Sequence, residues 1–292
     1  MARKAVRAVT TWLVLLRRGA LLLYDENGLA ISKGAAYSAL LSFFPVLTTI
    51  ATLLVQARAP AVSEILSKFL TEVVPPGAQE LVLTRFVVEG ERPPLLLIGA
   101  TLLSLYAASG VMLSLMEGFN AIYHVPVSQH WAKQRLVAAV LVFAAALPAV
   151  GASALMLLGN RTEHYVIETF GGFLAGEQIA GGLLLIGQIV RSLIAVGAVA
   201  VVTALLYKIG PNRAQPWARI WRGAIVAAVL WFLITVGFSW YVRNLANYNV
   251  MYGSVATVVA LIVWMYILSA VILYGCAFNA EWEKARHAAR SA

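Results

Sequence analysis

Residues 181–206 read GGLLLIGQIVRSLIAVGAVAVVTALL, an apolar run whose single charge is Arg191. A helix rises 1.5 Å per residue, so about 20 apolar residues cross the ~30 Å hydrocarbon core of a bilayer. This stretch is long enough to do so. Five others match it, at 34–56, 95–117, 136–158, 223–242 and 254–279. The rest of the chain agrees: 61% of its residues are hydrophobic and 12% charged, with a mean hydropathy of +0.82. A soluble domain is about 45–50% apolar and about 25% charged, so too few polar groups remain here to coat a water-facing surface. The pattern predicts an all-α integral membrane protein with six transmembrane helices, forming a single polytopic unit over 1–292.

Between the first two runs, residues 61–74 and 78–88 place apolar positions at helical spacing around Glu64, Lys68, Glu72, Glu80 and Arg85. They are too short and too charged to span, and are expected as short amphipathic helices in an outer loop, 57–94. Segment 9–24 sets Trp12, Leu13, Leu15, Leu16 and Leu21 to Leu23 around Arg17 and Arg18, as in an amphipathic helix lying in the membrane interface. It belongs to a cytoplasmic or interfacial segment, 1–33, whose chain turns at Asp25 to Gly28. Its basic start is like that of a signal peptide, but charge interrupts the apolar part, so it is read as retained.

Orientation follows from the basic residues, which are held on the cytoplasmic side near span ends. With the N-terminus inside, 15 of the 22 Lys and Arg residues fall on the cytoplasmic side, six outside and Arg191 within a span. An even number of spans returns the C-terminal tail, 280–292, to the cytoplasm. The net charge of +9 and pI near 9.8 then match an anionic inner leaflet, where each juxtamembrane Lys or Arg contributes about 1 kcal/mol, better than a nucleic-acid partner. Anionic membrane lipid is the expected partner, nucleic acid is not, and a homo-oligomer or an envelope partner is admitted.

Polar groups inside a bilayer are costly and are read first for function. In the first span Tyr37 and Ser42 precede Pro45, which frees a backbone carbonyl one turn earlier. A packed kink and a broken helix lining a cavity are equally compatible with this. Arg191, beside Gln188 and Ser192, lies about 15 Å from the outer end of its span, where an unpaired charge costs about 2.5–3.5 kcal/mol. It either faces the protein interior, where it would attract an anionic head group, or reaches outward to Glu177 or lipid phosphate. Tyr37, Ser42, Pro45, Gln188 and Arg191 are thus candidates for a substrate path. Glu117, Asn120 and Asn279 share one depth near the inner interface and form a candidate polar cluster, with an ion pair at Glu117 favoured over a proton relay. Gly110 and Ser114, four apart, let helices approach closely.

Catalysis finds no support in the sequence. His124, His130, His164 and His287 form no metal-binding pair, the lone Cys276 excludes an intramolecular disulfide, and neither a phosphate-binding glycine loop nor GxSxG occurs. No cofactor and no enzymatic activity are expected.

The run Gly34-Ala-Ala-Tyr-Ser-Ala-Leu-Leu-Ser-Phe-Phe-Pro45 resembles the first-span signature of the YihY/BrkB family of bacterial inner-membrane proteins. Asn120-Ala-Ile-Tyr123, Leu206-Tyr-Lys-Ile-Gly-Pro211, Arg222-Gly-Ala224, Tyr252-Gly-Ser254 and Leu273-Tyr-Gly-Cys-Ala-Phe-Asn279 extend the resemblance over nearly the whole chain. It implies a six-span cytoplasmic-membrane protein of a family mislabelled ribonuclease BN. Some members are linked to serum resistance and to lipid or lipopolysaccharide export. It carries over no catalytic or binding residues. The expected function is a transporter or flippase-like exporter of an amphiphilic, anionic lipid. The alternative is a structural or scaffolding envelope protein.

Overall fold

The computed structural model describes residues 2–56, 94–126, 130–148, 151, 177–244 and 253–291. The short outer-loop helices, the outer part of the run at 136–158 and the turn containing Tyr252 lie outside the described residues, as does the side chain of Gln188.

Seven helices and no strands occur among the described residues. They are α1 (Ala2–Asp25), α2 (Gly28–Gln56), α3 (Pro94–Ile122), α4 (Trp131–Pro148), α5 (Glu177–Ile209), α6 (Trp217–Asn244) and α7 (Gly253–Ser291). Five of them, α3 to α7, contain stretches long and apolar enough to cross a membrane. The first predicted run lies within α2.

The helices outrun the apolar runs that predict them, chiefly at one end. At 39 residues α7 measures about 58 Å, nearly twice the hydrocarbon core. The segment expected as a tail after residue 279 simply continues this helix to Ser291. Likewise α3 passes through Glu117 and Asn120 to Ile122, and α2 starts at Gly28, where the Ser32 hydroxyl donates to the Gly28 carbonyl (2.8 Å). Hydropathy marks where lipid begins, whereas backbone hydrogen bonding continues wherever other helices shelter it.

Pro45 does not break α2, which is continuous from Gly28 to Gln56. The Ser42 hydroxyl donates to the Ala39 carbonyl (2.9 Å), and Thr49 donates to the Pro45 carbonyl (2.9 Å). α2 packs chiefly on α3 and α7, α6 on α5 and α7, and α1 on α7. The small residues foreseen in α3 serve its pairing with α2: Gly110 faces Ser38, and Ser114 faces Gly34.

α1 is joined to α2 by a tight turn in which Asn27 adopts positive φ (54°), a conformation asparagine tolerates better than most residues. α1 buries Leu15, Leu22 and Leu23 and leaves Arg17 and Arg18 exposed. Trp12 stacks on Phe278 of α7 (5.4 Å, 19° between planes) and meets Trp282 at 5.2 Å, while the Tyr274 hydroxyl donates to the Leu16 carbonyl (3.0 Å).

Candidate functional site

The buried core gathers where α3, α5, α6 and α7 meet the α5–α6 connection, here termed the basic end. Phe119, Ile122, Tyr207, Ile220, Leu273 and Phe278 are fully enclosed there. Large apolar side chains elsewhere, such as Leu102, Leu136, Phe143, Leu147, Leu193 and Leu233, face outward, as befits helices whose solvent is lipid.

Two of the predicted polar residues organise this end. Asn120 of α3 is buried, and its Oδ1 accepts the backbone N–H of Asn212 (2.8 Å), pinning the α5–α6 connection. Asn279 of α7 is also buried. Its Oδ1 accepts the Gly223 N–H (2.7 Å) and its Nδ2 donates to the Ile220 carbonyl (3.0 Å), so one amide bridges α7 to the first turns of α6. Away from water each such bond also removes the penalty of a stranded polar group, about 1–3 kcal/mol. Asn120 and Asn279 therefore hold opposite ends of the same short segment, 212–223. Glu117 does not join them: it is exposed on α3.

The helices can meet this closely because of two glycines. A Cβ on Gly223 would overlap the Gly275 carbonyl oxygen, and one on Gly275 would overlap the Gly223 carbonyl, at 2.6 Å, and the Ala227 methyl, at 2.7 Å. α6 and α7 thus cross backbone to backbone, the arrangement small residues permit inside membranes. Tyr207 of α5 fills the space beside them, its hydroxyl donating to the Ile272 carbonyl (2.5 Å) and its ring meeting Phe119 edge-on at 5.4 Å.

Toward solvent the same end becomes charged. Glu283 accepts from Arg213 (2.5 Å) and Arg219 (2.6 Å), tying α7 to the α5–α6 connection and to α6. Arg213 also stacks over the Tyr123 ring (4.2 Å), and the Tyr123 hydroxyl donates to Gln215 Oε1 (3.3 Å). Burial pushes the Tyr123 phenol well above its ordinary range, so it remains a donor through the neutral range. Lys208 donates to the Gln215 carbonyl. Arg222 lies over the Trp282 ring (4.4 Å).

The path candidates are not gathered. Tyr37 on α2 is 63% exposed, Ser42 is bonded within its own helix, and Arg191 is half-buried on α5 and is not unpaired. α2 and α5 share no substantial packing among the described residues.

A sizeable hollow lies elsewhere. Between α1, α6 and α7 runs an open groove of about 700 Å³, floored by Ile225, Val229 and Leu230 of α6 and by Ile267, Ala270 and Val271 of α7. Trp12, Leu16 and Leu23 of α1 wall it on one side, and Arg222 is the one charged residue among the described residues that line it. Its size falls within the ~300–1,000 Å³ of typical small-molecule sites. Among the described residues no group of three or more His, Cys, Asp or Glu side chains could hold a metal ion. The arrangement can brace helices at one end and hold an apolar chain beside a cation. Tyr207, Gly223, Gly275, Arg222 and Glu283 were not foreseen as site residues, although Tyr207, Arg222, Gly223 and Gly275 all stand within the motifs quoted above.

Comparison with known proteins agrees with these motifs. The chain is 26% identical to the ribonuclease-like protein YfkH of Bacillus subtilis, over 89% of this chain and 91% of that one. It is 29% identical to a UPF0761 membrane protein of Alteromonas mediterranea, covering 91% and 88%. A UPF0761 membrane protein of Chromobacterium violaceum is 28% identical over 87% of this chain, which spans only 59% of that longer relative. No solved structure matches. Residues 23–292 match the virulence factor BrkB family, and the motifs from α2 to α7, most of which converge on the basic end, are those of a chain that belongs to it.

Proposed function

We propose that the protein moves an amphiphilic, anionic lipid in the bacterial cytoplasmic membrane, as a transporter or flippase-like exporter and not as an enzyme. In this reading six helices span the bilayer, both termini and the basic end face the cytoplasm, and α1 lies along the inner interface. The observation that carries it is the groove between α1, α6 and α7. It is apolar, open, and placed where lipid, not water, is the surrounding solvent. From Arg222 to Leu230 on α6 and from Tyr266 to Tyr274 on α7 it runs roughly 12 Å, under half of the ~30 Å core. It therefore serves one leaflet, as an entry or exit site, and movement to the other leaflet needs a further step.

The test is scrambling of a fluorescent anionic lipid by the purified protein in liposomes, comparing wild type with Val229→Trp, which fills the groove, and with Arg191→Ala. Loss of movement in Val229→Trp alone assigns the groove, and loss in Arg191→Ala assigns a path along α5. No movement by wild type in any lipid removes the transport reading. It would leave a scaffolding role, which the rigid bracing of the basic end favours.

A further inference from the structure

The geometry points to Arg222, backed by the Trp282 ring, as the head-group end of this groove, selecting an anionic phospholipid from the leaflet at the basic end. The inference rests on the lipid-handling reading above and concerns binding alone.

Arg222 sits five residues into α6, inside its apolar stretch, and is the single charge among the described residues that line the groove. Its neighbours differ from those of Arg213 and Arg219, which share the Glu283 carboxylate. The Arg222 guanidinium lies over the face of the Trp282 ring, 4.4 Å away, and its Nη1 finds no acceptor among the described residues. The Trp282 indole N–H, buried beside it, likewise finds none. A buried cationic donor without an acceptor among the described residues is a strong demand for an anion, because a charge left unpaired near hydrocarbon is expensive.

The surroundings restrict what can supply that anion. Both acids near this face of α7 are engaged: Glu283 with its arginines and Glu281 with Lys284 (2.8 Å). The groove leading away from Arg222 is apolar along its ~12 Å, a length suited to much of one acyl chain in one leaflet. A lipid lying in it carries its phosphate at the glycerol end, level with Arg222. A guanidinium matches phosphate oxygens in a planar fork, which a lysine ammonium does not. Stacking on Trp282, itself held by Trp12 at 5.2 Å and Phe278 at 6.2 Å, fixes the guanidinium before the lipid arrives and so lowers the ordering cost of binding.

The experiment places the full chain in phosphatidylcholine nanodiscs doped with phosphatidylglycerol that carries a photoreactive group on its acyl chain, with equally labelled phosphatidylcholine in parallel. Cross-linked peptides are mapped by mass spectrometry. Phosphatidylglycerol is expected to label residues 225–230 and 266–271 in preference to phosphatidylcholine. Arg222→Gln should reduce that preference about tenfold or more, from the loss of a charge-assisted pair, and Arg222→Lys should retain part of it. Val226→Trp, which blocks the groove and keeps the guanidinium, should reduce labelling by both lipids. Equal labelling by the two lipids in wild type, or a preference unchanged in Arg222→Gln, overturns the inference. Should Arg222→Gln fail to fold by size-exclusion chromatography, Arg222→Lys and Val226→Trp decide: preference unchanged in Arg222→Lys together with unchanged labelling in Val226→Trp overturns it. Selective labelling without scrambling would leave the inference standing while the transport reading fails.

Discussion

The two ends of the α6–α7 pair are built on opposite rules. Where Gly223 meets Gly275 the backbones touch, and Asn279 and Tyr207 each hand a polar group to a neighbouring helix. Beside this crossing the same two helices line a groove with Ile225, Val229, Ile267 and Val271. Lipid explains why both are stable. Apolar side chains gain little by leaving hydrocarbon for one another, so helices associate through close backbone approach and through polar bonds that lipid cannot replace. The crossing supplies the adhesion, and an apolar groove facing hydrocarbon costs little to leave open.

This contrast is sharpest when a methyl group is added at each site. Gly223→Ala drives a Cβ into the Gly275 carbonyl and the Asn279 amide, neither of which can retreat without separating the helices. The expected loss is about 3 kcal/mol, at the upper end for overpacking, seen as a lower melting temperature in detergent or as loss of the folded peak. Gly237→Ala, on the exposed face of α6 with nothing within 4 Å, should have the opposite sign and stabilise by up to ~1 kcal/mol through helix propensity. Equal effects from the two substitutions would mean that the crossing is not what holds this end together.

A smaller loss is expected from Asn279→Ala, about 2 kcal/mol. It strips partners from the Gly223 N–H and the Ile220 carbonyl while creating no overlap. A full-sized apolar replacement, Asn279→Leu, should do worse than alanine, because Gly223 leaves its side chain no room. If leucine proves the milder change, Asn279 acts by filling space and not by bonding.

How much of this was legible beforehand follows the same division. The lipid-facing parts could be read directly, since a run such as 181–206 has no alternative to a spanning helix. Asn120 and Asn279 could be found because buried amides inside apolar helices are conspicuous. Glu117 was grouped with them by depth, but depth says nothing of azimuth: Glu117 and Asn120 are three residues apart on α3, yet one faces outward and the other Asn212. Gly223 and Gly275 carry no such signal, because glycine is frequent in membrane helices and only the partner helix reveals which ones are in contact. The groove was invisible for the same reason. It is made by three helices distant in sequence, and Trp12 and Tyr274 give no hint of one another. Pro45 shows a converse limit: the residue type predicts a disturbance, yet α2 runs on through it from Gly28 to Gln56.

The smallest effect is expected where charge is most abundant. Glu283 joins Arg213 and Arg219 at 2.5 and 2.6 Å, shorter than either bond of Asn279, and on distance alone Glu283→Gln would seem as damaging as the loss of Asn279. Exposure decides otherwise. The side chains of Arg213 and Arg219 are 28% and 43% accessible, so water and head groups take up much of what the carboxylate gives, and pairs of this kind contribute ~1 kcal/mol or less. The variant should therefore melt within about 1 kcal/mol of wild type at low salt, with the difference shrinking as ionic strength rises and screens the pair. Asn279→Ala should show no such salt dependence, its bonds being buried between neutral groups. A salt-independent loss at Glu283 as large as that at Asn279 would move this node from the solvated rim into the core of the basic end. The tight region would then extend along α7 past the apolar run, as far as the helix itself does.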